Sequence, residues 1–164
     1  LRDLAAYVAA QIVGAIGGAI LADAMFAEPL VRFSSHDRSA PHLWLGEVVA
    51  TAGLIALILG LNRVGRAALA PGAVAAYIGA AYWFTSSTSF ANPAVTVGRA
   101  FSDTFAGITP GSVPGFVVAQ LVGGLIAVTL VGWLYPHIGA SAGDVVIPHE
   151  HRAHDTETTR RSTR

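Results

Sequence analysis

The sequence predicts an all-α membrane protein: a bundle of four long apolar helices with one short helix set between two of them. Three observations carry this expectation. Apolar residues make up 53% of the 164 positions and charged residues only 12%, against about 25% charged in an average soluble domain; the mean hydropathy is +0.56. Apolar runs long enough to cross a bilayer recur between short polar segments. One stretch inside that apolar setting, Ser89 to Phe101, nevertheless opens like the helix of a soluble protein.

The charge pattern narrows the function classes. Acidic and basic residues balance to a net charge of zero with His neutral, so no bulk attraction to nucleic acid is implied. All ten basic residues are Arg, and the absence of Cys excludes disulfides and thiolate chemistry. No basic segment and cleavage site precede the first apolar run, so no signal peptide is recognised. The chain divides into a membrane domain over 1–136 and a polar tail over 137–164 that reads as disordered.

The first span is placed at 4–26. At roughly 1.5 Å per residue it covers a hydrocarbon core of about 30 Å. Gly14, Gly17 and Gly18 let a neighbouring helix approach, and Gln11 is read as its polar interior group, an interhelical hydrogen-bond former rather than a solute contact. Residues 27–42 form an aqueous loop whose His36 and His42 read as solvated. The second span, 43–61, contains Glu47. An ionisable group at the bilayer centre costs roughly 2.5–3.5 kcal/mol, so Glu47 is expected to face the bundle interior and find a hydrogen-bond partner there. A short loop with Arg63 and Arg66 and no acid follows, which the positive-inside rule places in the cytoplasm.

The third span is placed at 71–88, its end running into a Ser/Thr-rich stretch that offers hydroxyls to broken backbone. Asn92 and Pro93 then start a half-helix expected over about 93–105. Asn is a strong N-cap, and Pro at the first helical position gives up an N–H that has no partner anyway. A helix this short cannot cross, so it re-enters, a feature of channels and transporters. The fourth span, 115–135, closes with Trp133 and Tyr135 as interfacial anchors. With re-entry, two spans separate the Arg63/Arg66 loop from the Arg-rich tail, so both fall on the cytoplasmic side of the cell membrane.

Val8 to Gly14 matches Val117 to Gly123 at a constant offset, with Gln11 against Gln120. Internal repeats of this kind mark two halves of a membrane protein. Because the second copy lies in the third span of a unit beginning near Leu43, the first is expected to be the third span of an earlier unit. Two spans and one half-helix of that unit are then expected before Leu1.

These residues resemble the aquaporin, or major intrinsic protein, family over about Leu4 to Tyr135. Asn92-Pro93-Ala94 matches the second of the family's two Asn-Pro-Ala half-helices, with Glu47 and both repeat copies, Gln11-Ile12-Val13-Gly14 and Gln120-Leu121-Val122-Gly123, in place. The resemblance implies a right-handed helical bundle, a homotetramer with a pore in each subunit, no cofactor or metal, and passive permeation of water and small neutral solutes. It further implies that Asn92 donates its amide to the permeating oxygen, and that Glu47, with Gln11 and Gln120, supports the re-entrant loop. Two departures stand out. The position after the Asn-Pro-Ala, where the family usually places an Arg of the narrow filter, is Val95. Arg99, a turn later, is either a displaced filter charge or the partner of Asp103 four residues on, the pair being the favoured reading. The position matching a filter His of water-selective members is Ala80, or Gly79 with one residue gapped. The expected path is therefore wide and weakly polar, suited to glycerol or to arsenite as its neutral trihydroxide; residues 91–96 and 101–108 also resemble a bacterial subgroup associated with arsenic resistance.

An enzyme is not expected, since no nucleophile and base share a membrane depth. A secondary transporter with a broken helix and a non-functional channel fragment are the alternatives. His149, His151 and His154 of the tail read as having no specific role.

Overall fold

The computed structural model describes residues 2–136; the tail at 137–164, with its histidines, lies outside the described residues. Five α-helices follow in order: α1 Arg2–Met25, α2 Pro41–Arg63, α3 Ala70–Phe84, α4 Pro93–Arg99 and α5 Val113–Leu134. Short 3-10 turns at Ala67–Leu69 and Pro110–Ser112 lead into α3 and α5. Among the described residues every regular element is helical. Four stretches, Asp3–Met25, Pro41–Arg63, Ala67–Phe84 and Pro110–Leu134, are long and apolar enough to cross a bilayer.

Helix starts follow the prolines. Pro41 opens α2 after an extended Ala40, and α3, α4 and α5 each carry Pro at the first or second position, where the ring fits and no hydrogen bond is lost. At its other end α2 stops where Gly65 takes φ +68° and the Arg66 N–H donates to the Leu61 carbonyl at 2.8 Å, a left-handed termination that glycine tolerates.

Two helix ends differ from the sequence expectation. The third helix stops at Phe84 rather than 88. Thr85 is extended and donates its hydroxyl back to the Ala81 carbonyl at 2.7 Å, and Thr88 and Ser89 have left-handed backbone. The short helix stops at Arg99 rather than 105. The Ala100 and Phe101 carbonyls accept from the N–H groups of Ser34 and Arg32, at 3.0 and 3.1 Å, so the 32–34 loop takes over just where the helix would have continued.

α2 lies along α5, α1 packs on α4, and α3 packs on α2. Gly123 permits the first contact: a Cβ there would sit 2.6 Å from the Val48 carbonyl oxygen. Gly98 permits the second, with a Cβ 2.7 Å from the Ala15 backbone. Close backbone approach at small residues is how membrane helices gain packing where burial from water gives no driving force.

The distribution of side chains suits lipid rather than water. Glu47, Ser87, Thr96 and Gln120 are buried, whereas Val13, Leu21, Trp83, Leu125 and Trp133 are exposed. One apolar cluster, Phe90, Ala100, Ile108 and Phe116, with Leu43, Phe101 and Val113 against it, anchors the segments that flank α4.

Candidate functional site

The site is built around the start of α4. Asn92 is extended, with φ −157°, and its side-chain Oδ1 accepts from the N–H groups of Ala94 at 2.8 Å and Val95 at 3.4 Å. Those are orphan donors of the first turn, which an N-cap satisfies. With Oδ1 so used, the side-chain amide Nδ2 remains as donor. It faces Gln11 Oε1 at 3.5 Å, the outer limit of a hydrogen bond.

The approach to Asn92 is strained. Thr88, Ser89 and Ala91 all have left-handed φ, at +61°, +49° and +48°, a conformation costing non-glycine residues about 1–2 kcal/mol each. Glu47 holds it. Fully buried on α2, its carboxylate accepts from the Phe90 N–H at 3.2 Å, from the Ala91 N–H, and from Gln120 Nε2 at 2.8 Å. Gln120 Nε2 also donates to the Thr96 hydroxyl at 2.7 Å, and that hydroxyl donates to the Asn92 carbonyl at 2.9 Å. One connected set of bonds thus ties α2, the strained loop, α4 and α5 together. The two repeat-related glutamines end up on either side of the half-helix start, Gln11 at the Asn92 amide and Gln120 at Thr96.

A second clamp holds the loops beyond α4. Arg38, buried in the 26–40 loop, donates through Nε to the Gly107 carbonyl at 2.7 Å, through Nη1 to Ser87 at 3.1 Å and through Nη2 to Phe105 at 2.9 Å. Its guanidinium lies 5.0 Å from the Phe90 ring centre, and that of Arg99 lies 4.3 Å from it, both within cation–π range.

Beside α4 opens a cavity of about 610 Å³. Ala15, Ala19 and Ala22 of α1, with Phe26 just past its end, form an apolar wall; Val95 and Arg99 of α4, Tyr82 of α3, and Asp23, Glu28, Ser102 and Thr104 supply the rest of its character. Val95 and Arg99, both singled out from the sequence, therefore share this cavity. Ala80 and Gly79 are not among its lining residues and both are exposed, whereas Tyr82, two residues beyond Ala80, lines it.

The pairing of Arg99 with Asp103 is not what forms. Asp103 accepts from the Ser35 N–H at 2.8 Å and the Ser35 hydroxyl at 3.0 Å, and pairs with Arg32 Nε at 3.2 Å and His36 Nδ1 at 3.5 Å. Because α4 ends at Arg99, residue 103 is not one turn above it, and the four-residue spacing loses its meaning. Arg99 Nη1 is left without a hydrogen-bond partner among the described residues.

Asp23, 3% exposed, is a cavity residue that the sequence reading passed over in favour of Gln11. An acid inside an apolar span is a usable signal, but its partner, the Ser102 hydroxyl at 2.7 Å, belongs to a distant loop. Outside the spans, two carboxyls lie below the usual Asp range. The Ser35 N–H and hydroxyl hold Asp103 down, with Arg32 and His36 adding less; the Ser39 and Ser112 hydroxyls and the Ser39 N–H hold down Asp37.

No family model matches the chain, and no solved structure matches it significantly. The chain is 53% identical over 133 residues to aquaglyceroporin AqpS of Rhizobium meliloti (strain 1021), a match that takes in 81% of this chain and 57% of that protein. It thus spans a little over half the length of the curated relative it matches.

Proposed function

Because this chain belongs to the aquaporin family, we propose that its cavity is part of a passive path for water and small uncharged solutes of the glycerol class. It is a channel in this reading, and not an enzyme. The observation that carries it is the Asn92-capped half-helix, ending in a cavity whose walls are supplied by Val95, Arg99 and the alanines of α1.

Asn92 presents Nδ2 as a donor because Oδ1 is committed to the first turn of α4. A permeating hydroxyl or water oxygen accepts from it. The half-helix adds the positive end of its dipole, at most about half an elementary charge, which opposes cations and protons but not neutral solutes, as in aquaporin-type pores generally. Pro93 and Ala94 keep that start rigid and closely packed. Glu47 and Gln120 fix the loop so that Asn92 stays in register, with Gln11 steadying its amide.

Val95 keeps the cavity wide and weakly polar beside α4, and Arg99 serves as the displaced filter charge. That combination favours solutes larger than water, glycerol first and arsenite as its neutral trihydroxide second. Assembly as a homotetramer in the cell membrane, with the Arg63/Arg66 loop and the tail on the cytoplasmic side, completes the proposal.

A buried acid at the cavity, Asp23, is also what a gradient-coupled transporter would use, and kinetics separate the two. Stopped-flow shrinkage of vesicles carrying the protein is expected to show passive flux linear in the gradient for water and glycerol. Saturable uptake driven by an ion gradient, or no flux above that of empty vesicles, would overturn the channel.

A further inference from the structure

Resting on the reading of the cavity as a solute path, we infer that Asp23 and Arg99 act together as a hydroxyl-recognition pair that gives polyols and neutral hydroxides preference over solutes lacking O–H groups. Asp23 lines the cavity with its side chain 3% exposed. Its Oδ1 accepts from the Ser102 hydroxyl at 2.7 Å, whereas Oδ2 meets no donor. On the same cavity Arg99 carries Nη1 without an acceptor, although its guanidinium is held over the Phe90 ring at 4.3 Å. Among the described residues the two side chains form no ion pair with each other.

Buried polar groups in folded proteins nearly always have partners, and an unpaired one points to a group that arrives from outside. Here the missing partners are complementary: one acceptor and one donor. A polyol supplies both, one hydroxyl donating its proton to Asp23 and another accepting from Arg99. Ala15, Ala19 and Ala22, on the same helix as Asp23, add an apolar surface that suits the carbon face of a polyol. The Ser102 hydroxyl lies 3.1 Å from that of Thr104, also at the cavity, and extends the polar strip beyond the acid. Glu28 also lines the cavity, so two carboxyl side chains and one guanidinium share its wall. In the rest position both free atoms are closed to a water-sized sphere, so a solute engages them by a small turn of either side chain.

A polyol entering a narrow path sheds water from several hydroxyls at once, and fixed partners replace what is lost. Water in a file is solvated by its own neighbours and depends less on them. The discriminating quantity is therefore the ratio of glycerol to water permeability, measured by stopped-flow shrinkage of vesicles holding the full chain. Asp23→Ala is expected to lower this ratio about tenfold, the effect of one charge-assisted hydrogen bond. Asp23→Asn, which keeps the shape and an oxygen for Ser102, is expected to lower it about threefold. A role confined to packing would depress both fluxes together and leave the ratio unchanged; that result in either variant overturns the inference. Should Asp23→Ala fail to fold, Asp23→Asn decides by the same criterion. A parent protein that passes neither solute overturns the channel reading itself, an outcome distinct from an unchanged ratio on a conducting background.

Discussion

The Glu47 carboxylate on α2 accepts the backbone N–H of Ala91, a residue in left-handed conformation immediately before Asn92. The bond joins a charged group that would otherwise be unpaired in the membrane to a backbone turn that would otherwise be unfavourable. Each solves the other's problem. A carboxylate has four lone-pair directions, and this one receives two backbone N–H groups and the Gln120 amide, so its burial is compensated by direct hydrogen bonds.

Glu47→Ala is therefore expected to leave two loop N–H groups and the Gln120 amide short of an acceptor and to release the strain at Thr88, Ser89 and Ala91. The cost is about 3 kcal/mol or more, read as a large fall in thermal stability in detergent together with loss of flux. Glu47→Gln keeps one oxygen but turns an amide toward donors, and is expected to lose about half as much. A stability of Glu47→Ala within about 0.5 kcal/mol of the parent would mean that the loop holds its shape without it.

Gly98 and Ala15 set the distance between α4 and α1. Gly98→Ala places a Cβ 2.7 Å from the Ala15 backbone carbon and 2.8 Å from its oxygen, and overpacking of this kind costs about 1–3 kcal/mol. Because backbone atoms are in the way, adding Ala15→Gly relieves the contact with the Ala15 Cβ alone and is expected to restore only part of the loss. Chemical denaturation of the single and double variants checks this; full recovery in the double variant would place the clash at the side chain.

What could be read from the chain divides along the range of the interactions. The Asn92 cap and the Pro93 start are local, two neighbouring residues and the first turn, and the tripeptide announces them. Burial of Glu47 follows from its depth in an apolar run. Its acceptance of the Phe90 and Ala91 N–H groups depends on a loop conformation that no periodicity describes. The pairing of Arg99 with Asp103 fails for the same reason: it assumes helix where the 32–34 loop has captured the backbone. Tyr82, and neither Ala80 nor Gly79, lines the cavity beside α4, a matter of which face of α3 turns toward α4 that matching the span by resemblance does not decide. Asp23 was visible as an acid in a span, but its role at the cavity emerges only with Ser102 folded against it.

The loop carboxyls predict an acid-labile docking. Hydrogen bonds from Ser35 hold Asp103, and those from Ser39 and Ser112 hold Asp37, below their ordinary ionisation range. Groups depressed on folding contribute fully above the unfolded value of about 3.9 and lose that contribution as pH falls through the lower folded values. Protection of the Ser35 amide from hydrogen exchange is thus expected to be flat from neutral pH down to about pH 5 and to decline below about pH 4. In Asp103→Asn the protection is expected to be lower throughout and the decline absent. Protection that stays flat to below about pH 3 would mean that the Asp103 carboxylate does not hold the Ser35 amide.

Val95→Arg tests the width of the path. The side chain at this position faces the cavity one turn before Arg99, so an arginine there fills volume and brings a second guanidinium onto the same helix face. Like charges four residues apart repel by a few tenths of a kcal/mol, too little to unfold α4 but enough to turn the new side chain away from Arg99 and across the opening. Glycerol must pass that side chain at close range; water needs less room and finds an added donor. Glycerol permeability is expected to fall by about tenfold, a discrimination of the size that steric fit supplies in small pockets, while water permeability stays within about threefold of the parent. Arg99→Val, which removes the donor that acts with Asp23 on a hydroxyl, is expected to lower the glycerol-to-water ratio as well, by loss of a hydrogen bond rather than of room. If glycerol flux survives Val95→Arg unchanged, the constriction lies elsewhere along the path and Val95 is a packing residue of α4.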